Sequence, residues 1–212
     1  AFNVEGNTIN ITADFMSYVD IASARAHVTV NEKTTTENAV APNDGGNGET
    51  EFHHILMKML ENAQGSTISI NAGEYQRLEF SFDMSSTNVE EMNDLEVSLW
   101  LQNHSTKEVY NSNFAYEYSE HAYPVENLTL NFNENNTDVN IEWNAPQAGN
   151  PVGYNVIIDG KLIGNNISEL SYYDNTINYN DGKQHIFEVV ALYEDGKTSV
   201  GVAKSANDTI NV

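Results

Sequence analysis

A two-residue rhythm limits what this chain can fold into more than any other feature. In LEVSLWLQN (95–103), Leu95, Val97, Leu99 and Leu101 point one way and Glu96, Ser98, Trp100 and Gln102 the other. That is the pattern of a half-buried strand with an amphipathic outer face. The alternation returns in NVEGNTINIT (3–12), RAHVTVNE (25–32), STISINAG (66–73) and YQRLEFSFDM (75–84). Asn, Asp, Gly and Ser clusters punctuate these runs at turn positions. Long helical patterns are missing, so the reading is an all-β chain of short strands in a sandwich or barrel.

Length turns that reading into two domains. One immunoglobulin-like sandwich takes roughly 100 residues, and this chain has 212. A strand-like run, EVYNSNFAYEY (108–118), ends before HAYPVENL (121–128), and a fresh strand series begins after it. The boundary falls at about 122 to 124, with Pro124 at the junction. Residues 1–122 are expected to form a jelly-roll-like sandwich and residues 123–212 an immunoglobulin-like one.

The second half resembles a fibronectin type III domain of the version common in secreted proteins of Bacteroidetes-type bacteria. The residues that carry this are Trp143 in VNIEWNAP, Gly153 and Tyr154 in GYNVIIDG, Tyr172 and Asp174 in LSYYD, and the run HIFEVVALYEDGKTS. The resemblance covers 124 to about 204 and implies that Trp143 fills the space between two sheets, with Asp159-Gly160 as a tight hairpin turn. His185 stands where the family usually has a tyrosine, which puts the usual corner hydrogen bond in question.

The first half is similar to the twenty-eight-kilodalton outer-membrane-protein family of the same bacteria, in the portion after its thioredoxin-like domain. FHHILMKMLENAQGSTI (52–68) and NDLEVSLWLQNHSTKEVYNSNF (93–114) carry that likeness. It implies a surface or secreted, extracytoplasmic protein, with no redox activity carried over because the Cys-bearing domain is not in this chain.

Charge and cysteine content exclude several function classes. Nine Lys plus Arg face 31 Asp plus Glu, a formal −22, so a phosphate backbone would be repelled and nucleic acid is not an expected partner. Anionic membrane surfaces are disfavoured for the same reason. There is no cysteine, hence no disulfide, thiolate metal site or cysteine nucleophile. No run approaches a membrane span in apolar length. The chain opens on AFNVEG, without initiator Met or signal peptide, and reads as a mature protein or a trimmed fragment.

Catalytic signatures are missing: no G-x-S-x-G elbow, P-loop or G-x-G-x-x-G occurs. Carboxylate-bearing turns such as NVEEMND (88–94) and YEDGKTS (193–199) are inevitable in so acidic a chain, and nothing links any two of them. His53 and His54 are adjacent, so they cannot chelate one ion locally, although His27 or His104 could converge as a third ligand. The stretch from Phe52 also has helical spacing, with Phe52, Ile55, Leu56, Met59 and Leu60 on one side. As a strand it would place Phe52, His54, Leu56, Lys58 and Leu60 together. Its neighbours favour a strand running into a short helical turn near Met57–Asn62.

Two places remain as candidate sites. The loop APNDGGNGETE (41–51) gathers Asp44, Asn47, Glu49 and Glu51, oxygen donors of the kind calcium takes, though outside the usual calcium-loop register. No other cofactor is expected. The aromatics are Trp100 on its strand's outer face, and Tyr110, Phe114, Tyr116, Tyr118 and Tyr123 before the boundary. Strand spacing puts Phe114, Tyr116 and Tyr118 on one face. Exposed, such rings stack on sugars or anchor a protein; beside a linker, they also suit packing between domains.

Asn-x-Ser/Thr occurs six times in an Asn-rich chain and is discounted, while Asp208-Thr209-Ile210 is similar to the O-glycosylation tripeptide of extracytoplasmic Bacteroidetes proteins. The expectation is a monomeric, non-catalytic binding or adhesion module for a host or bacterial surface protein or glycan. Its alternatives are a carbohydrate-binding accessory region of a secreted hydrolase and a structural spacer.

Overall fold

The computed structural model describes residues 1–37 and 46–207. Asp44 and the Asp208-Thr209-Ile210 tripeptide lie outside them. Every regular element among the described residues is a strand or a three-residue 3-10 turn. The chain divides into two compact units, each a β-sandwich. The first takes Ala1–Ala13, Ala22–Ser69 and Arg77–Glu120, and the second Asp14–Ile21, Ile70–Gln76 and His121–Val212.

The first unit takes all or most of β1 (Phe2–Glu5), β2 (Thr8–Ser17), β3 (Ile21–Thr35), β4 (Phe52–Leu60), β5 (Ser66–Ile70), β6 (Glu74–Asp83), β7 (Leu95–Asn103) and β8 (Val109–Phe114), the ends of β2, β3, β5 and β6 passing into the second. One sheet has the order β1-β2-β6. The other runs β4-β3-β7-β8, with β5 also paired to β3. The run 3–12 is two strands rather than one, because Glu5 pairs with Thr8 across Gly6-Asn7. Gly6 takes φ 61 at the first loop position, where a two-residue hairpin uses glycine. Ile9, Ile11, Val28, Val30, Leu95 and Val97 fill the core between the sheets, each removed from water by the alternation of its strand.

The segment 57–62 is not a helical turn. β4 continues to Leu60, which pairs with Val28, and the chain then turns through Asn62 to Gly65. The ladder to β3 supplies backbone partners that a lone helical turn among strands would lack. One residue is extra: Lys58 pairs with Val30 and Leu56 with Asn31, which leaves Met57 in a bulge. Past the bulge the alternation changes phase. Phe52, His54, Leu56, Lys58 and Leu60 therefore do not share one face. Met57 and Leu60 pack on the core, Leu56 is exposed, and the Lys58 ammonium sits 4.4 Å from the Phe82 ring centroid.

The second unit stacks β13 (Ser171–Asp174), β10 (Val139–Asn144) and β9 (Glu126–Phe132) against a four-stranded sheet. The latter runs β12 (Lys161–Ile167), β11 (Gly153–Ile158), β14 (Gln184–Leu192) and β15 (Val202–Asn207). Three strands facing four is a fibronectin type III/immunoglobulin-like sandwich. Trp143 is 3% exposed between the sheets, edge-on to Tyr154 at 5.5 Å. Asp159 and Gly160, at φ 52 and 75, form the two-residue turn between Ile158 and Lys161. Both central residues lie in the left-handed region, as that turn requires.

His185 replaces the corner tyrosine with a different tie. Its Nδ1 lies 2.7 Å from Asp159 Oδ2 and its Nε2 3.1 Å from Asp181 Oδ1. Residues 14–21 and 70–76 belong to this unit as well: Ala72 N–H donates to Asp20 Oδ1 at 2.9 Å, and the Tyr18 hydroxyl donates to Glu188.

Candidate functional site

Register places an unusual set of side chains on the outer face of the first unit's larger sheet. Ala26, Val28 and Val30 of β3 are buried, so Arg25, His27, Thr29 and Asn31 face outward. They stand opposite Gln102, Trp100, Ser98 and Glu96 of β7. The rings of His27 and Trp100 stack with centroids 4.8 Å apart and planes inclined by 11°, an offset-stack separation. Hydroxyls continue the row: Thr29 Oγ1 is 2.7 Å from Ser98 Oγ, to which Asn31 Nδ2 also donates at 3.4 Å. His54 Nδ1 lies 2.8 Å from Glu96 Oε1 at the end of the face.

Apolar side chains flank this row. On β8, Ser112 pairs with Trp100 and Phe114 with Ser98, so Phe114 and Trp100 are diagonal neighbours on one face. Phe114 is 60% exposed. On the opposite edge, Met59 pairs with Thr29 and the exposed Leu56 with Asn31. Burial first, then the nearby Arg25 and Lys107 charges, hold the His27 pKa below the usual histidine value. The imidazole under Trp100 is therefore neutral at pH 7.

The other aromatics named from the sequence do not join Phe114. Tyr110 is the extra residue of a bulge in β8, and its hydroxyl accepts from Asn103 Nδ2 at 2.7 Å. The strand stops at Phe114. Tyr116 follows outside it, exposed, with its carbonyl accepting from Phe2 N–H at 2.8 Å. Tyr118 begins a 3-10 turn and lies 2.9 Å from Thr12 Oγ1 through its hydroxyl. Phe114, Tyr116 and Tyr118 thus do not share a strand face, because the chain leaves the extended conformation between them. Tyr123 is buried within the second unit.

Of the calcium-loop residues, Asn47 Oδ1 accepts from Glu49 N–H at 3.0 Å, and Glu51 pairs with His53 Nε2 at 3.0 Å. His53 and His54 reach different carboxylates, Glu51 and Glu96. Among the described residues no group of three or more His, Asp or Glu side chains is placed to hold a metal ion.

No family model matches the chain, and no curated protein matches it significantly. Among solved structures it is similar to a family 28 exopolygalacturonase of Yersinia enterocolitica, at 16% identity and TM-score 0.33 over 40% of this chain and 20% of that one. It is similar also to the glycoside hydrolase domain of Endo-D from Streptococcus pneumoniae R6, at 13% identity and TM-score 0.34 over 95% and 33%. A third is the set of fibronectin(III)-like modules of CbhA from Clostridium thermocellum, at 13% identity and TM-score 0.31 over 95% and 85%. The chain spans only 20% and 33% of the first two proteins. Likenesses of this size assign neither activity nor ligand.

Two participants in the face are not evident as such in the sequence, where His27 figures only as a third metal ligand and Arg25 not at all. The signal that could have found them is the phase of RAHVTVNE, which sets Arg25 and His27 on the side opposite Ala26 and Val28.

Proposed function

We propose that this chain is a non-catalytic binding or adhesion module, carried on the surface of, or secreted by, a Bacteroidetes-type bacterium. The observation that carries the binding role is the outer face itself, where Trp100 is stacked on His27, Phe114 is exposed diagonally to it and Leu56 is exposed farther along the same face. Aromatic side chains at the centre of a sheet face, rimmed by hydroxyl and amide groups, have the make-up of a contact surface.

Three carboxylates of this sheet and its approach, Glu32, Asp94 and Glu96, have structural tasks, which supports a role without catalysis. Glu96 is engaged by His54. Glu32, fully buried, accepts from the backbone N–H groups of Glu90 and Glu91, and Asp94 accepts from Thr34 N–H. The surface location is part of this proposal and draws on the resemblance read from residues 52–68 and 93–114, which no family model matches. A formal charge of −22 also suits a protein that must stay soluble outside the cell.

The test is binding of the chain to arrayed glycans and immobilised extracellular proteins, with Trp100→Ala and Phe114→Ala beside the unaltered chain. Either substitution weakens a positive signal by about tenfold or more, with the fold retained by circular dichroism. A signal indifferent to both removes this face from the role, and silence across both panels removes the binding role itself.

A further inference from the structure

Beside the His27–Trp100 stack lies an open cleft of about 530 Å³, contained within the first unit. Its volume falls in the roughly 300–1,000 Å³ range of small-ligand sites. The β4–β5 turn forms one wall, β6 another, and Arg25 of β3 reaches in from the outer face. Gly65 joins cleft and stack, since it lines the cleft and lies directly against the His27 ring.

We propose that this cleft binds a neutral saccharide, one end of a glycan whose neighbouring rings run toward Trp100. The mixed charge of the lining favours this class. Three residues of the lining carry charge: Arg25, Glu61 and Glu79. An anion would meet two carboxylates and a cation would meet the guanidinium, while an apolar ligand would strip water from all three without returning a hydrogen bond. A sugar hydroxyl both donates and accepts at no net charge. Carboxylates accept from it, the guanidinium donates to it, and the amides of Asn62 and Gln64 do either.

The charged groups are available for this. Arg25 Nη1 donates to Thr67 Oγ1 at 2.5 Å and to Gly65 O at 3.4 Å, neutral acceptors that fix the guanidinium and leave its other N–H groups. Among the described residues Arg25, Glu61 and Glu79 form no ion pair.

This inference rests on the binding reading above but concerns a separate set of side chains. The experiment titrates the isotope-labelled chain with neutral di- and trisaccharides of gluco, galacto and manno configuration. Uronate- or sulfate-bearing oligomers and glucosamine oligomers serve as matched panels. A neutral member shifts the backbone amide signals of Gln64, Gly65 and Thr67. Glu79→Gln and Gln64→Ala, both exposed positions, each weaken that binding by about tenfold, whereas Leu162→Ala, an exposed position of the second unit, leaves it in place. No shift from any neutral member overturns the inference, as does tighter binding by the anionic or cationic panel. Loss of partner binding in Trp100→Ala without any cleft response would end this inference alone and leave the face reading standing.

Discussion

Gly65 lies so close beneath His27 that a Cβ on it would stand 2.9 Å from the imidazole Nδ1 and 2.7 Å from the Ala26 carbonyl oxygen. Its φ of +68 adds a second demand for glycine. The turn after β4 thereby presses the imidazole onto Trp100. Gly65→Ala is expected to cost about 1–3 kcal/mol and to change the fluorescence of Trp100, both measured in one urea titration. A variant as stable as the parent would show that this turn is not closely seated.

The neutral state of His27 sets a pH dependence. Its folded pKa lies below the usual histidine value, so the unfolded chain binds the proton first. Stability from this site is complete above roughly pH 6.5 and is lost as the pH falls through the interval between the unfolded and folded values. Unfolding midpoints of the parent are expected to drop between pH 7 and pH 5 more steeply than those of His27→Phe. Parallel curves would contradict it.

Glu188 works in the opposite sense. Burial raises its pKa, and the bond from Tyr18 only partly offsets this. The folded chain holds that proton to higher pH than the unfolded one, so the contribution is present in acid and lost as the pH rises through the folded value. Glu188→Gln, which can still accept from Tyr18, is expected to raise the neutral-pH melting temperature. Gly201→Ala is expected to lower it, because its Cβ would overlap the Glu188 side chain. Calorimetry at pH 7 reads both.

His185 offers a fourth check. The ring is 6% exposed, with a carboxylate oxygen at each nitrogen. His185→Phe keeps a ring but leaves Asp159 and Asp181 without their shared partner. A loss of about 1–3 kcal/mol is expected in denaturant unfolding. No loss would mean that the tie contributes nothing net.

Among the described residues no strand pairs with the outer edge of β8, and its own side chains shield it. Asn111 Oδ1 accepts from Ser112 N–H at 2.8 Å and Asn113 Oδ1 from Phe114 N–H at 2.9 Å. These bonds occupy donors that an added strand would use. The double variant Asn111→Val, Asn113→Val is expected to self-associate more strongly than the parent in sedimentation at matched concentration. A monomeric variant would assign edge protection elsewhere.

Much of the architecture was legible before any coordinates. Leu95, Val97 and Leu101 are buried as their alternation requires, Trp143 fills the second core, and Asp159-Gly160 turns its hairpin. Each depends on a local period or on one turn's backbone preference. The failures share a different cause. Met57 bulges, Gly6-Asn7 splits one alternating run into two strands, and the chain leaves the strand after Phe114. A period-two pattern carries no mark of where pairing slips or ends.

The candidate site divides along the same line. Sequence alone determined that the chain is all-β, that it is strongly acidic, and that Trp100 belongs on an outer face, because side-chain alternation and charge are properties of the local chain. Only the tertiary structure decided that His27 lies under Trp100, that Phe114 shares their face while Tyr110, Tyr116 and Tyr118 do not, and that Arg25, Glu61 and Glu79 line one cleft. It also decided that residues 14–21 and 70–76 belong with the second unit. Those neighbours are far apart along the chain and meet only through strand register, and register is settled by the packing of whole sheets rather than by any single segment.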